Sequence, residues 1–313
     1  MTTENSTQKI IIEYGTDDIK NDVSVFCYAN LSNDNIIKIF SGEENRNILF
    51  SDNSAVSKKN VYLTIDGIVS FYDETLTISI NLSNNKVTTV SDVDIENTLV
   101  GIQNSLTINN GSFSDENQMQ SMVVRYLTGN EHVLEIGGHV GRTSLIIGSI
   151  LGDNASANFV VMECDIDIMW LLSANRDINN MYFGVEGSAL SKRGMVIQKP
   201  VMNSSGDIVF VQNKVDLISW SDLSAKYNTT FDTLVLDCNG GFFYIFTDMP
   251  EILDNIQTVI LKNDFADSNK TYMVVDTLTN ANFFVDYSHF GGEGPCYDNF
   301  FQVWKKHASN SSV

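Results

Sequence analysis

The segment Val133-Leu134-Glu135-Ile136-Gly137-Gly138-His139-Val140-Gly141-Arg142-Thr143-Ser144 holds residue types that can do chemistry at short spacing. An aliphatic strand ends near an acid, passes through a glycine loop and enters a helix. Glycine belongs where the backbone turns tightly and a ligand must approach without a Cβ in the way. The start of the following helix offers free N–H groups and the positive end of its dipole. A dinucleotide fingerprint reads GxGxxG, but two residues after Gly137 stands His139, and no frame here gives that pattern. What stands is Glu-x-Gly-x-x-x-Gly. A carboxylate beside such a loop repels a pyrophosphate and attracts an ammonium or a sulfonium, which points to S-adenosylmethionine. Glu135, Gly137, Gly138, His139, Gly141 and Ser144 are therefore the first candidate cofactor-binding residues.

Three later turns extend the set. The second apolar strand ends at Met162-Glu163-Cys164-Asp165, where an acid can accept hydrogen bonds from both ribose hydroxyls, with Cys164 beside it. The third ends at Glu186-Gly187-Ser188-Ala189, and the small Ser188 and Ala189 can flank an adenine ring. The fourth ends at Asp237-Cys238-Asn239-Gly240-Gly241, which puts Asp237 at the crevice where open α/β sheets bind ligands. Glu135, Glu163 and Asp237 are thus expected to converge on one edge of a sheet.

Methyl transfer to a hydroxyl needs an oriented acceptor and a base. His289 closes the sixth strand and precedes Gly291-Gly292-Glu293-Gly294-Pro295, a loop able to fold over a pocket, so His289 is the candidate base and Asp237 the candidate catalytic carboxylate. Asp237, Asn263 and Asp264 also offer hard oxygen ligands that would suit Mg²⁺. Trp170, Phe242, Phe243 and Tyr244 have aromatic faces, but aromatics at helix starts more often serve the core.

The elements that position these residues follow from two rhythms. Residues 1–95 alternate short β-branched or aromatic runs, such as Val23–Phe26, Ile36–Phe40, Val61–Ile65 and Leu76–Ile80, with Asn, Asp, Gly and Ser clusters. They read as a small all-β module. Residues 96–111 read as a polar linker with one strand embedded. From 112 to 313 the chain alternates apolar strands with helices: a helix capped by Ser114, strands at His132–Ile136, Asn158–Met162, Tyr182–Val185, Asp232–Leu236 and Thr258–Leu261, and two closing strands at Phe283–Tyr287 and Phe300–Trp304. This is the pattern of a mostly parallel α/β sheet with an antiparallel closing strand.

Composition narrows the partners. The 313 residues carry 19 Lys+Arg against 39 Asp+Glu, a net charge of −20, which disfavours nucleic acid and anionic membrane. The best apolar run, Thr143–Leu151, is about half the length of a membrane-spanning helix. The polar start, Met1–Gln8, has no secretory pattern. The four cysteines, Cys27, Cys164, Cys238 and Cys296, lie far apart without a CxxC pair, as suits reduced thiols in a cytoplasmic compartment.

Val133–Ser144, the Glu163 turn, Leu172-x-x-Asn175, Gly187–Leu190 and Phe231–Gly240 together resemble the FkbM-type class I S-adenosylmethionine-dependent methyltransferases, over residues 112–306. The resemblance implies a seven-stranded Rossmann-like sheet, S-adenosylmethionine as cofactor, and O-methylation of a sugar, glycan or other small molecule. The family's first loop usually reads Asp-x-Gly-Ala-Asn-x-Gly, so Glu135, Gly138 and His139 depart from it; Asn239 stands where a glutamate is usual. Those departures favour a second reading, a catalytically degenerate binding or virion-associated protein. The first 95 residues resemble small β modules that precede such domains in giant-virus proteins, which would place the protein in host cytoplasm or particle and make the module a route to oligomers.

Overall fold

In the computed structural model, the described residues are 10–307 except 53, 55–57, 206, 266 and 293. Glu293 of the predicted pocket loop and the first nine residues of the module therefore lie outside them.

The amino-terminal part forms two four-stranded antiparallel sheets. One pairs Lys20–Asp22, Ile11–Gly15, Asn60–Ile65 and Ile68–Tyr72; the other pairs Ser32–Asn33, Ile36–Ile39, Leu76–Asn81 and Lys86–Ser91. Period-two alternation sends Ile12, Tyr14, Leu63, Ile37, Ile39, Ile78 and Ile80 into one shared core. The part is not purely β, however. Ser24–Asn30, which contains most of a run expected as a strand, is a helix that buries Ser24 and Cys27, and Glu43–Leu49 is a second. That second helix buries Arg46 completely, and its guanidinium donates to the carbonyls of Phe40 (2.9 Å), Tyr72 (3.4 Å), Asp73 (2.7 Å) and Leu76 (2.6 Å).

The expected linker is corrected as well. Asp92–Ser105 is a helix whose N-cap Ser91 accepts a hydrogen bond from the Asp94 N–H, with Asp92 and Asp94 in its first turn. It packs Leu99 against the large domain and shows little amphipathic signal, because Leu99 is its one buried residue.

The large domain is built on seven strands: β1 Val133–Ile136, β2 Phe159–Met162, β3 Gly184–Glu186, β4 Thr233–Leu236, β5 Thr258–Lys262, β6 Phe283–His289 and β7 Phe301–Lys306. Their order is β3-β2-β1-β4-β5-β7-β6, with β7 antiparallel to both neighbours. This is the seven-stranded, mostly parallel Rossmann-like sheet with an antiparallel closing strand that was expected. Strands β1, β2 and β4 are buried at every residue, as expected for parallel strands covered on both faces. On one face they pack with Phe242, Phe246 and Leu253; on the other with Ile146, Ile147 and Met122. The helix before β1 runs Asn117–Tyr126 behind a 3₁₀ turn capped by Ser112, two residues earlier than predicted.

Between β3 and β4 lies an antiparallel hairpin, Val196–Met202 paired with Ile208–Lys214. Met202, Ile208 and Phe210 are exposed on it, and Lys199 ties its inner end to Asp165 and Asp167.

The amino-terminal part lies against the β6 side of the sheet. Lys38 pairs with Asp286 at 2.6 Å, Phe40 meets Tyr287 edge-on, Asn45 accepts from the Phe290 N–H at 3.4 Å, and Tyr297 donates to Glu44 at 3.2 Å. Among the described residues no helix is long and apolar enough to cross a membrane.

Candidate functional site

The carboxyl ends of β1, β2 and β4 meet around the glycine loop. The N–H groups of Gly137 and Gly138 both donate to the Met162 carbonyl at 3.0 Å, which folds the loop toward β2. Gly137 has φ +94°, and a Cβ there would lie 1.9 Å from the Asp237 carbonyl oxygen. Only glycine lets the β1 and β4 turns touch at this point. Gly141, at φ +93°, forms the N-terminal boundary of the helix Arg142–Leu151.

Glu163, just past β2, accepts the His139 N–H on Oε2 (2.9 Å) and the Asp165 N–H on Oε1 (2.8 Å). A carboxylate has about four lone-pair sites, so about two remain for a ligand. His139 sits at φ +46°, and its Nδ1 accepts from Arg142 at 3.0 Å. Arg142 also donates to the Ser112 carbonyl and pairs with Asp115 and Glu116, which anchors the loop to the segment ahead of β1.

These elements enclose a cavity of about 540 Å³. Of the predicted residues, Gly137, His139, Glu163, Cys164, Ser188, Ala189 and Asp237 line it. Ser188 is held by its N–H donating to Glu186 Oε1, and Ala189 by its N–H donating to the Asp216 carbonyl. Arg193, Met195, Asn239, Tyr244 and Ile245 complete much of the wall. Arg193 is held bidentately by Asp248 and stacks over the Tyr244 ring at 4.9 Å from its centroid.

Four predicted cofactor residues, Glu135, Gly138, Gly141 and Ser144, are not part of that wall. Glu135 stands in register with Val161 and Val235, and strand alternation turns its side chain under the loop, toward the helix Arg142–Leu151. It is 3% exposed there, beside the buried Ser144 hydroxyl, and among the described residues its Oε2 meets no well-formed hydrogen bond. Burial pushes its carboxyl up to about 8 against the opposing pull of the Ser144 hydroxyl, and the charges of Glu116, Asp237 and Glu163 add to the rise. Gly138 supports the loop from behind: a Cβ would meet Leu172 Cδ1 at 2.8 Å and Val161 Cγ2 at 2.9 Å.

His289 does not reach the cavity either. Its Nδ1 lies 2.7 Å from the Phe290 carbonyl, and its ring stacks on Phe290 at 4.6 Å. Burial holds the imidazole below the usual histidine range. The ring sits on the side of the sheet that faces the amino-terminal part, away from the cavity it was expected to serve.

The three residues proposed for Mg²⁺ do not fit a metal. Asp237 gives both oxygens to Lys262 Nζ, at 3.0 and 3.1 Å. The buried Asn263 amide donates to the Asn299 carbonyl at 2.7 Å and to Gln302 Oε1 at 3.0 Å. Burial and the charge of Asp237 raise the Asp264 carboxyl. No group of three or more His, Cys, Asp and Glu among the described residues is arranged to hold a metal ion.

Lys262, the last residue of β5, was missed in the sequence. The available signal was a lone basic residue directly after the buried run Val259-Ile260-Leu261, at the same sheet edge as Asp237.

No protein-family model matches the chain, and no curated protein matches it. Solved structures that resemble it include the O-methyltransferase from Bacillus cereus in complex with SAH, at 13% identity over 68% of this chain and 91% of that one, TM-score 0.39. They also include the ribosomal protein L11 methylase from Lactobacillus delbrueckii subsp. bulgaricus, at 12% identity over 64% and 82%, TM-score 0.41. A third is a protein of the NADB-Rossmann superfamily from Streptococcus agalactiae, at 11% identity over 66% and 73%, TM-score 0.39. At such identities the likeness concerns the fold alone.

Proposed function

We infer that this chain is a methyltransferase that binds S-adenosylmethionine in the 540 Å³ cavity and methylates a hydroxyl of a sugar, glycan or other small acceptor. One observation carries the reading: Glu163 and Asp237, at the ends of β2 and β4, face one cavity across the Gly137 loop. Bound there, the cofactor would supply a methyl group on a positively charged sulfur. Glu163 has lone pairs to accept ribose hydroxyls, the small Ser188 and Ala189 leave room for a flat base, and His139 closes the loop side. Asp237, the acid on the cavity wall beside the glycine turn, is the group suited to take the proton of an acceptor hydroxyl. The net charge of −20 supports a small or glycan acceptor over nucleic acid or membrane.

Calorimetric titration with S-adenosylhomocysteine tests the cofactor. The wild type is expected to bind, and Glu163→Ala to bind about 10- to 100-fold more weakly, the loss of one or two charge-assisted hydrogen bonds. A wild type that does not bind ends the reading; equal binding by the variant ends the ribose assignment.

The FkbM-type assignment rests on the motifs alone. A second reading, a binding protein that has lost catalysis, draws on Asn239, which lines the cavity at φ +50° where the resembled family carries a glutamate. Transfer of a tritiated methyl group to any glycan or small hydroxylated compound would exclude it. Free cysteines at all four positions suit a cytoplasmic location, and the amino-terminal sheets are the proposed surface for any oligomer.

A further inference from the structure

Behind the cavity wall, acids crowd around Asp237. Glu116, Glu135 and Asp264 all feel the charge of Asp237, and each is shifted in the direction that like charge and burial dictate. Glu116 is also held by Arg142, whose remaining donors go to Asp115, the Ser112 carbonyl and His139. The cation that Asp237 itself meets is Lys262, seated symmetrically between its two oxygens at 3.0 and 3.1 Å and only 24% exposed at the side chain.

Methyl transfer to a hydroxyl breaks the sulfur–methyl bond and forms a carbon–oxygen bond. The sulfur keeps the electron pair and becomes a neutral thioether, while the hydroxyl proton passes to a base. Positive charge on sulfur is therefore lost along the reaction. An unbalanced carboxylate at the cavity wall would stabilise the charged reactant more than the transition state, which raises the barrier. It would also favour the cationic cofactor over its neutral product.

We propose that Lys262 is a positioning and charge-balancing residue, which fixes the Asp237 carboxylate and sets how strongly the cavity distinguishes the sulfonium cofactor from the neutral thioether. The proposal rests on the cofactor reading above. It assigns a role to a residue that touches neither ligand, acting through Asp237.

The test compares the affinities of S-adenosylmethionine and S-adenosylhomocysteine by calorimetry at pH 7.5 in wild type, Lys262→Met, Lys262→Gln and Lys262→Arg. Removing the charge in Lys262→Met is expected to shift the ratio of the two affinities about tenfold toward the sulfonium. Lys262→Arg, which keeps the cation, is expected to stay within about twofold of wild type. The shift should shrink as salt is raised. A purely structural role for Lys262 would weaken both ligands together and leave the ratio alone. An unchanged ratio in Lys262→Met, with both ligands still bound, overturns the proposal, as does a shift toward the neutral thioether. If Lys262→Met does not fold, Lys262→Gln gives the same comparison with a polar side chain. Absence of binding of either ligand to the wild type would instead remove the cofactor reading, so the two failures are separable.

Discussion

Replacing Glu135 by glutamine is expected to remove a loss of stability that the wild type undergoes as pH rises from about 4.5 to about 8. The sign follows from proton uptake. An unfolded glutamate releases its proton near 4.5, whereas the folded Glu135 holds it up to about 8. Across that window the folded state binds more protons, so raising the pH favours unfolding. Above the window, the ionised carboxylate sits 3% exposed, with one oxygen that meets no well-formed hydrogen bond among the described residues. A displacement of this size is worth on the order of 4–5 kcal/mol at alkaline pH. Glu116 and Asp264 are raised for the same reasons and act in the same direction. Asp165 and Glu186, held below the usual range by hydrogen bonds from Lys199 and Lys226 despite burial, act oppositely and only at acid pH. Urea unfolding of wild type and Glu135→Gln from pH 5 to 9 separates them. The variant curve should be flatter and lie above the wild type at pH 8.5; parallel curves would show that Glu135 ionises normally.

The second large effect belongs to Arg46. Arg46→Met is expected to destabilise the amino-terminal part by about 3–5 kcal/mol, the cost of losing several charge-assisted hydrogen bonds and leaving buried carbonyls unsatisfied. The guanidinium reaches four carbonyls, one at Phe40 and three in the turn Tyr72–Leu76: Tyr72, Asp73 and Leu76. These join the end of Ile36–Ile39 to the turn between Ile68–Tyr72 and Leu76–Asn81, so one side chain clips the two sheets together. Burial pulls the pKa of the guanidinium down to about 10, still leaving it charged at neutral pH. Arg46→Lys should recover little, because a point-like ammonium cannot span the fork. Urea midpoints read the effect, with the exposed Lys86→Met as a control expected to stay within about 0.5 kcal/mol. A midpoint for Arg46→Met equal to that of the control would show that the four carbonyls find other donors.

The large sheet was legible because central parallel strands are covered on both faces, and unbroken runs such as Thr233-Leu234-Val235-Leu236 have no other comfortable home. Glu163 and Asp237 were legible for a related reason: the acid follows directly on a buried run, where the strand ends and the crevice begins. Glu135 shows the limit of that logic. It lies one residue inside β1, and a period of two turned it away from the cavity it was expected to line. Ser24–Asn30 was misread because Val, Phe, Cys and Tyr favour strands locally, while packing of Cys27 into the core decides otherwise. In the hairpin Val196–Lys214 the run Ile208-Val209-Phe210-Val211 did carry a strand signal, but Gln198, Lys199 and Pro200 break the apolar run of its partner strand. His289 was placed by its strand end alone. What the sequence did not carry is that the amino-terminal part occupies that side of the sheet.

That occupancy has a consequence for self-association. β6 is one of the two outer strands of the large sheet, and among the described residues β7 is the strand hydrogen-bonded beside it. An outer strand with a bare flank is a template on which a foreign chain can lay down another rung. Lys38, Phe40 and Asn45 lean on Asp286, Tyr287 and Phe290 along that strand and just past its end. The small sheets thus crowd the approach of a foreign strand to this rim of the large one.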